Sequence, residues 1–262
     1  MDVIGFVESV WRYPVKSMQG EEVQQAFAGF SGVYGDRRYA FRNSGAQQGF
    51  PFLTARDQER MILYKPKYRH TQQAMLPPNL AEAGSLGPGL TPVYGDTTDM
   101  MLDVETPKHN ILAIDDPALI AELSDGLGNG QVLSLATSDR SMTDCRPVSL
   151  FSLRTMEHIG REAGLTLDKR RFRANLFVNL DMDAFAENGF VGRNVRIGAK
   201  AVIGIIAPDP RCKMITLDPD TAEAKPEVLR VVAHRHDGNA GLYGAVLVEG
   251  IVRSGDEIVL LN

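Results

Sequence analysis

The chain has 262 residues, 44% of them hydrophobic and 23% charged, with a formal net charge of −5. These are ordinary globular proportions, sufficient for one large core or two modest ones, and they exclude a disordered or low-complexity chain. The acidic balance argues against a general nucleic-acid binder, and two cysteines are too few for a disulfide-stapled secreted fold or for a four-cysteine zinc or iron–sulfur site.

No basic segment followed by an apolar core opens the chain, and the longest apolar runs, such as 201–207, are too short to span a bilayer. With reduced thiols, the expectation is a cytoplasmic protein with no membrane and no nucleic-acid partner. Residues 3–11 mix β-branched and aromatic side chains, which reads as a strand that Pro14 ends. Gly29, Gly32 and Gly35 punctuate the next stretch, and the alternation over 38–42 predicts a half-buried strand before a turn at 43–49. Residues 52–56 and 61–64 read as further short strands, and the Pro- and Gly-rich stretch 76–98 as a loop with one strand at most.

Asp116-Pro117 supplies an N-cap and a first-turn proline, so a helix opens there and stops at Gly126. A domain boundary is expected near residue 112, dividing the chain into 1–112 and 113–262. A second helix over 152–163 puts Leu153, Met156, Ile159 and Ala163 on one face, with Gly164 as its stop. Further strands read at 174–180, 195–197, 201–206, 244–252 and 257–261, with a turn at 254–256 between the last two. The predicted fold is mainly β (α+β): two β-barrel-like domains with a few helices.

Several familiar motifs are absent. There is no Gly-x-Gly-x-x-Gly after a strand, no phosphate loop, no His-Glu-x-x-His and no Gly-x-Ser-x-Gly. Six segments remain as candidates. Lys16-Ser17 comes after the extended Trp11-Arg12-Tyr13-Pro14, and an ammonium beside a hydroxyl suits an anion. Taken alone, the segment reads more simply as a solvated turn. Asp36-Arg37-Arg38 adds cations, and Asp36 has an arginine to pair with. Arg173 and Asn175 point the same way if the chain is extended, and together they suit a planar ligand rich in heteroatoms. The plainer alternative is an arginine over a barrel end and an asparagine closing a turn. Pro208-Asp209-Pro210-Arg211-Cys212 comes after a strand, so Cys212 sits rigidly beside a cation. That suits a nucleophilic or metal-ligating thiolate, although an inert buried cysteine is the plainer alternative. Cys145 also neighbours an arginine, and a disulfide with Cys212 is disfavoured by a cytoplasmic setting. His234 and His236, two apart, read as an exposed hairpin rather than as a metal pair lacking a third ligand.

In order along the chain, WRYPVKSMQGEEV, GDRRYAF, FLTAR, PVSLFS, RRFRANLFV, RCKMITLDPDT and GDEIVLL resemble the MOSC family. That family includes the mitochondrial amidoxime-reducing component and the C-terminal domain of molybdenum-cofactor sulfurase. The first three segments resemble the family's N-terminal β-barrel domain, and the rest resemble the MOSC domain. The resemblance implies a molybdenum cofactor (Mo-molybdopterin) in a cleft between the two domains. It implies Cys212 as both catalytic residue and metal ligand, and Lys16, Ser17, Arg37, Arg173, Asn175 and Arg211 as cofactor contacts. Ala174 stands where the family usually has a proline. Arg56, Asp144 and Ser149 are secondary candidates for lining the cleft. The implied activity is an oxidoreductase acting on small N-hydroxylated substrates. No four-cysteine ferredoxin domain is present, so the expected electron donor is a separate protein such as a ferredoxin or flavoprotein. The alternative the family offers is a sulfur or molybdenum-cofactor carrier using a Cys212 persulfide.

Overall fold

Seven strands carry most of the apolar sequence of the C-terminal half together with the first segment of the chain. In the computed structural model, which describes residues 3–86, 90–96, 98–128 and 130–261, they are β1 (Val3–Arg12), β2 (Val148–Ser152), β3 (Leu176–Leu180), β4 (Asn194–Ile197), β5 (Ala201–Pro210), β6 (Asn239–Val248) and β7 (Glu257–Leu261). Their hydrogen-bonded order is β3-β2-β6-β5-β4-β7-β1, and β1 pairs back onto β3, so the ring closes. Closure removes the exposed edges that an open sheet would present. Only β2 and β3 run parallel. Gly5 sits in the closing pair at φ +153°, and a Cβ there would lie 2.1 Å from the Asn179 carbonyl oxygen, so the seam passes only over glycine. Val7, Val10, Phe151, Phe177, Val195 and Ile203 are buried in this unit. Each such side chain contributes about 1.5–3 kcal/mol by leaving water.

Four α-helices occur among the described residues: α1 (Leu80–Leu86), α2 (Pro117–Ser124), α3 (Leu153–Ala163) and α4 (Pro226–Arg235). A parallel pair needs a crossover, and α3 supplies it between β2 and β3. It ends as expected at Gly164, in the left-handed conformation with φ 68°. Helix α2 begins as expected, with the Asp116 carboxylate accepting from the Ala118 N–H at 2.8 Å. Among the described residues, no helix is long and apolar enough to cross a membrane.

The chain folds as two compact units. The first takes in the chain up to Arg12, Glu22–Val33 and everything from Thr143 on; the second comprises Tyr13–Glu21 and Tyr34–Met142. Strand β1 belongs to the first unit, in the barrel completed by the C-terminal strands. In the second unit, Tyr39–Asn43 pairs with Leu133–Thr137, and Lys65–Tyr68, Leu102–Glu105 and Ile111–Ala113 form a three-stranded sheet. Tyr39, Phe41, Leu53, Met61, Met100 and Leu102 fill its core.

Mainly β architecture is therefore the observed fold, with four local corrections. Residues 52–56 form no strand, only an isolated bridge from Phe52 to Arg42. Residues 61–64 fall largely within a 3-10 helix, Glu59–Leu63. The stretch 76–98 contains α1 rather than a strand; its residues 87–89 and 97 lie outside the described residues. His234 lies on α4 and His236 caps it, so the expected hairpin is a helix end. Short apolar runs do not separate period 2 from period 3 or 3.6, which explains the first three.

One buried acid gives the barrel unit a pH dependence. Glu187 is 2% exposed, and its Oε1 accepts from the Thr155 hydroxyl at 2.5 Å. Oε2 makes no hydrogen bond among the described residues, and burial raises the pKa above its ordinary value. A raised folded pKa favours the fold fully at low pH, and that contribution is lost as pH climbs from the ordinary glutamate range through the folded value. Glu187→Gln mimics the neutral acid. Denaturant unfolding at pH 5 and pH 8 is expected to show wild type losing about 1–3 kcal/mol relative to the variant across that interval. Parallel pH profiles for the two proteins would contradict this.

Candidate functional site

Strand β5 does not stop at Ile206 as the prolines predicted. It continues to Pro210, with register shifts between Ile205 and Ala207 and between Pro208 and Pro210. Prolines are tolerated where a bulge already breaks the ladder. The strand therefore delivers Arg211 and Cys212 rigidly to its end. Cys212 is extended and caps the 3-10 helix Lys213–Thr216, its carbonyl accepting from the Ile215 N–H at 3.2 Å. The thiol is half-buried, Cys145 is exposed, and both are free.

Arg211 holds this end in place. Its Nε donates to the Ala240 carbonyl at 2.6 Å and its Nη1 to the Phe172 carbonyl at 2.8 Å. Nη2 lies 2.9 Å from the buried Asp209 carboxylate, and the guanidinium sits over the rings of Phe151 and Phe172. Gly241 leaves room for it. At φ +81°, a Cβ on Gly241 would come within 2.6 Å of Phe151, 2.8 Å of the Leu150 oxygen and 3.0 Å of Nη2. Tyr243 completes the cluster, its hydroxyl pKa raised by burial and by the Asp209 carboxylate. Sequence reasoning passed over Asp209 and Tyr243. The signal available was the spacing of Asp209 and Arg211, two apart on an extended segment.

The Phe172 carbonyl that Arg211 grips immediately precedes Arg173, so the two predicted segments are brought together. Arg173 and Asn175 do not share an extended face, however. Arg173 caps the 3-10 helix Lys169–Phe172 in the left-handed conformation, φ 53°, and β3 begins only at Leu176. The period-2 rule therefore does not apply to this pair. Asn175 is buried. Its Oδ1 accepts from the backbone N–H and hydroxyl of Ser149 at 3.2 and 3.3 Å, and its Nδ2 donates to the Trp11 carbonyl at 3.3 Å. It thus ties β1, β2 and β3 together, and Ser149 belongs to the same tie. Asp144 is exposed.

In the second unit, Tyr13, Val15, Lys16, Ser17 and Met18 are all buried, so the reading as a solvated turn does not hold. The Lys16 ammonium donates to the Met142 carbonyl at 2.8 Å. Asp36 is also buried. Its carboxylate accepts from the Tyr13 N–H at 2.7 Å and from Arg37 Nη1 at 2.6 Å. The pairing foreseen for Asp36 exists, but in the interior rather than at the surface. Arg37 lies over the Tyr13 ring, 4.4 Å from its centroid. Arg56 lines a cleft of about 640 Å³ in the same unit, with Asn43, Phe50 and Gln131.

Backbone strain marks three of these positions. Ser17 (φ 67°), Arg37 (φ 45°) and Arg173 (φ 53°) are left-handed, and only four other non-glycine residues among those described share that state. Such a conformation costs of order 1 kcal/mol or more and persists where surrounding contacts impose it, commonly at ligand sites.

A closed seven-stranded barrel with a cysteine at a strand end, together with a unit of smaller sheets, defines the class of protein. The MOSC domain family model matches residues 137–259, and the MOSC N-terminal beta barrel domain model matches residues 4–116. The chain belongs to the MOSC family. Among solved structures it is similar to the YuaD protein of Bacillus subtilis, with 13% identity over 97% of this chain and 93% of that chain at TM-score 0.48. YiiM from Geobacillus stearothermophilus is 17% identical over 45% of this chain and 55% of that chain, TM-score 0.36. YiiM from Escherichia coli is 19% identical over the same shares, TM-score 0.33. No curated protein matches the chain significantly.

Proposed function

We propose that this chain binds a molybdenum cofactor and reduces small N-hydroxylated compounds, taking electrons from a separate ferredoxin or flavoprotein. The observation that carries the reading is the coincidence of left-handed backbone with the basic and hydroxyl candidates Ser17, Arg37 and Arg173. A half-buried free thiol at a fixed strand end adds to it. The donor set fits the group: a soft thiolate suits molybdenum, and cations and hydroxyls suit a phosphorylated, heteroatom-rich pterin.

In this reading Cys212 ligates the metal, and ligation requires the thiol to release its proton. Lys16, Ser17, Arg37 and Arg173 bind the anionic and polar groups of the cofactor. Asn175 and the Nε and Nη1 of Arg211 are on protein partners and hold the Cys212 and Arg173 backbones in place, while Arg211 Nη2, beside Asp209 but without a hydrogen bond among the described residues, is the atom of that pair that would reach the cofactor. When bound, the cofactor would supply the redox centre that accepts oxygen from an N–O bond, while the protein orients substrate and excludes water.

The test is expression in a host that makes the cofactor, followed by elemental analysis and an amidoxime-reduction assay with an artificial electron donor. The expected result is molybdenum in the protein and turnover that depends on it. A mass gain of one sulfur atom without molybdenum, and without turnover, would replace the reductase by a Cys212 persulfide carrier.

A further inference from the structure

Helix α3 presents His158 and Glu162 four residues apart, on one face. Helix α4 ends at Arg235, and His236 comes next as its cap. The ends of the two helices meet at Glu162. Its Oε2 lies 2.6 Å from His236 Nε2, its Oε1 lies 3.6 Å from His158 Nε2, and Arg235 Nη1 donates to Oε1 at 3.0 Å. One ligand atom from each of His158, Glu162 and His236 lies within 4.8 Å of the other two.

A second observation bears on the same place. Phe185 is a bulky residue held left-handed at φ 65°. Its ring stacks on His236 at 3.9 Å and meets His158 edge-on at 5.8 Å. Its N–H donates to Thr155 Oγ1 at 2.9 Å, so the buried Thr155–Glu187 pair fixes the strained turn. An aromatic side chain in this conformation is a genuine outlier, and here its ring contacts both imidazoles.

We propose that His158, Glu162 and His236 form a transition-metal site of the zinc type. Zinc bonds imidazole nitrogen and carboxylate oxygen at about 2.0–2.2 Å, which places tetrahedral ligand atoms roughly 3.3–3.5 Å apart. His158 Nε2 lies 3.6 Å from Oε1, at the edge of that range, whereas His236 Nε2 lies 2.6 Å from Oε2 in a direct hydrogen-bond contact that the ion would replace. Arg235 stays on Oε1 and orients the carboxylate, a partner of the kind that supports metal ligands from outside. Of the three, only His158 lines the adjoining cleft of about 570 Å³, with Arg154, Arg161 and Asn179, and in the proposal water or a small anion reaches the fourth coordination position from that side. Three protein ligands and one open position is the arrangement of hydrolytic zinc centres, as distinct from closed structural sites. The set shares no residue with the Cys212 segment.

The full-length protein is titrated with Co²⁺ and then Zn²⁺. The expected result is one equivalent of Co²⁺ giving visible d–d absorption of a low-coordinate N/O site, without the thiolate charge-transfer band that Cys145 or Cys212 would produce, and displaced by Zn²⁺. Loss of an outer partner already costs up to about a hundredfold in affinity, so His158→Ala and His236→Ala are expected to weaken binding by at least that factor. Glu162→Gln preserves side-chain size and the Arg235 contact, and it is expected to weaken binding comparably while circular dichroism remains that of wild type. Zn²⁺ at a hundredfold excess over Kd raises the wild-type Tm by roughly 5 °C or more and leaves that of Glu162→Gln unchanged. Absence of stoichiometric binding in wild type overturns the site. So does wild-type affinity in the three variants, or a thiolate band in the Co²⁺ spectrum.

Discussion

Cys212→Ala is expected to lose at least about a hundredfold in reductase turnover while keeping its fold, because removing a direct ligand costs no less than removing the groups that merely support one. The local structure explains why the two effects separate. Cys212 is half-buried, its side chain caps no helix through a hydrogen bond, and it forms no disulfide. Truncation therefore leaves no large cavity and no buried polar orphan, and the stability change stays within about 1 kcal/mol. Assays of amidoxime reduction, paired with thermal unfolding, check both halves. Cys145→Ser is the companion variant: its thiol is exposed, outside the proposed machinery, and turnover is expected to be retained. Full turnover by Cys212→Ala would remove the thiol from the reaction.

Arg211→Met is expected to cost about 3–5 kcal/mol, the largest stability loss among the substitutions considered. Arg211 and Asp209 form a buried ion pair, with side chains 7% and 4% exposed. Taking one charge away leaves the other buried without its counter-ion, and that penalty exceeds anything the pair gains when intact. The Ala240 and Phe172 carbonyls also lose their donors. Lysine is not a substitute, since one ammonium cannot reproduce the fork that reaches two carbonyls and a carboxylate. Adding Asp209→Asn in the Arg211→Met background removes the stranded charge and is expected to recover part of the loss. Urea unfolding of wild type, both single variants and the double variant measures this coupling. Additive effects would show that the two residues act independently.

Much of the barrel was legible because its strands satisfy local rules. The strand over 3–11, the helix between Asp116 and Gly126 and the helix stopped by Gly164 each arise from residue types that act on their own backbone. What escaped were features that depend on distant partners. The path of β5 through Pro208 and Pro210 needs bulges opposite β6, and no local signal announces them. Helix α4 carried its signals (Pro226 in the first turn, Glu227 after it, Val228 and Val232 four apart), but two histidines drew the reading toward a hairpin. The family segments singled out Lys16, Ser17, Arg37, Arg173 and Cys212, but nothing in them announces the surroundings these residues have in the fold. The burial of 13–18, the interior position of Asp36 and the left-handed turns at Ser17, Arg37 and Arg173 arise from packing. Arg211 and Asn175 read as ligand contacts in sequence because arginine and asparagine suit heteroatoms of any origin. Their protein partners, two backbone carbonyls for Arg211 and Ser149 for Asn175, are set by distant parts of the chain that no local signal names.

Molybdenum X-ray absorption on wild type and Cys212→Ser, both from a cofactor-producing host, tests the ligand assignment most directly. The account predicts one sulfur neighbour fewer around molybdenum in the serine variant, or loss of the metal altogether. Equal molybdenum content with an unchanged sulfur shell would contradict it.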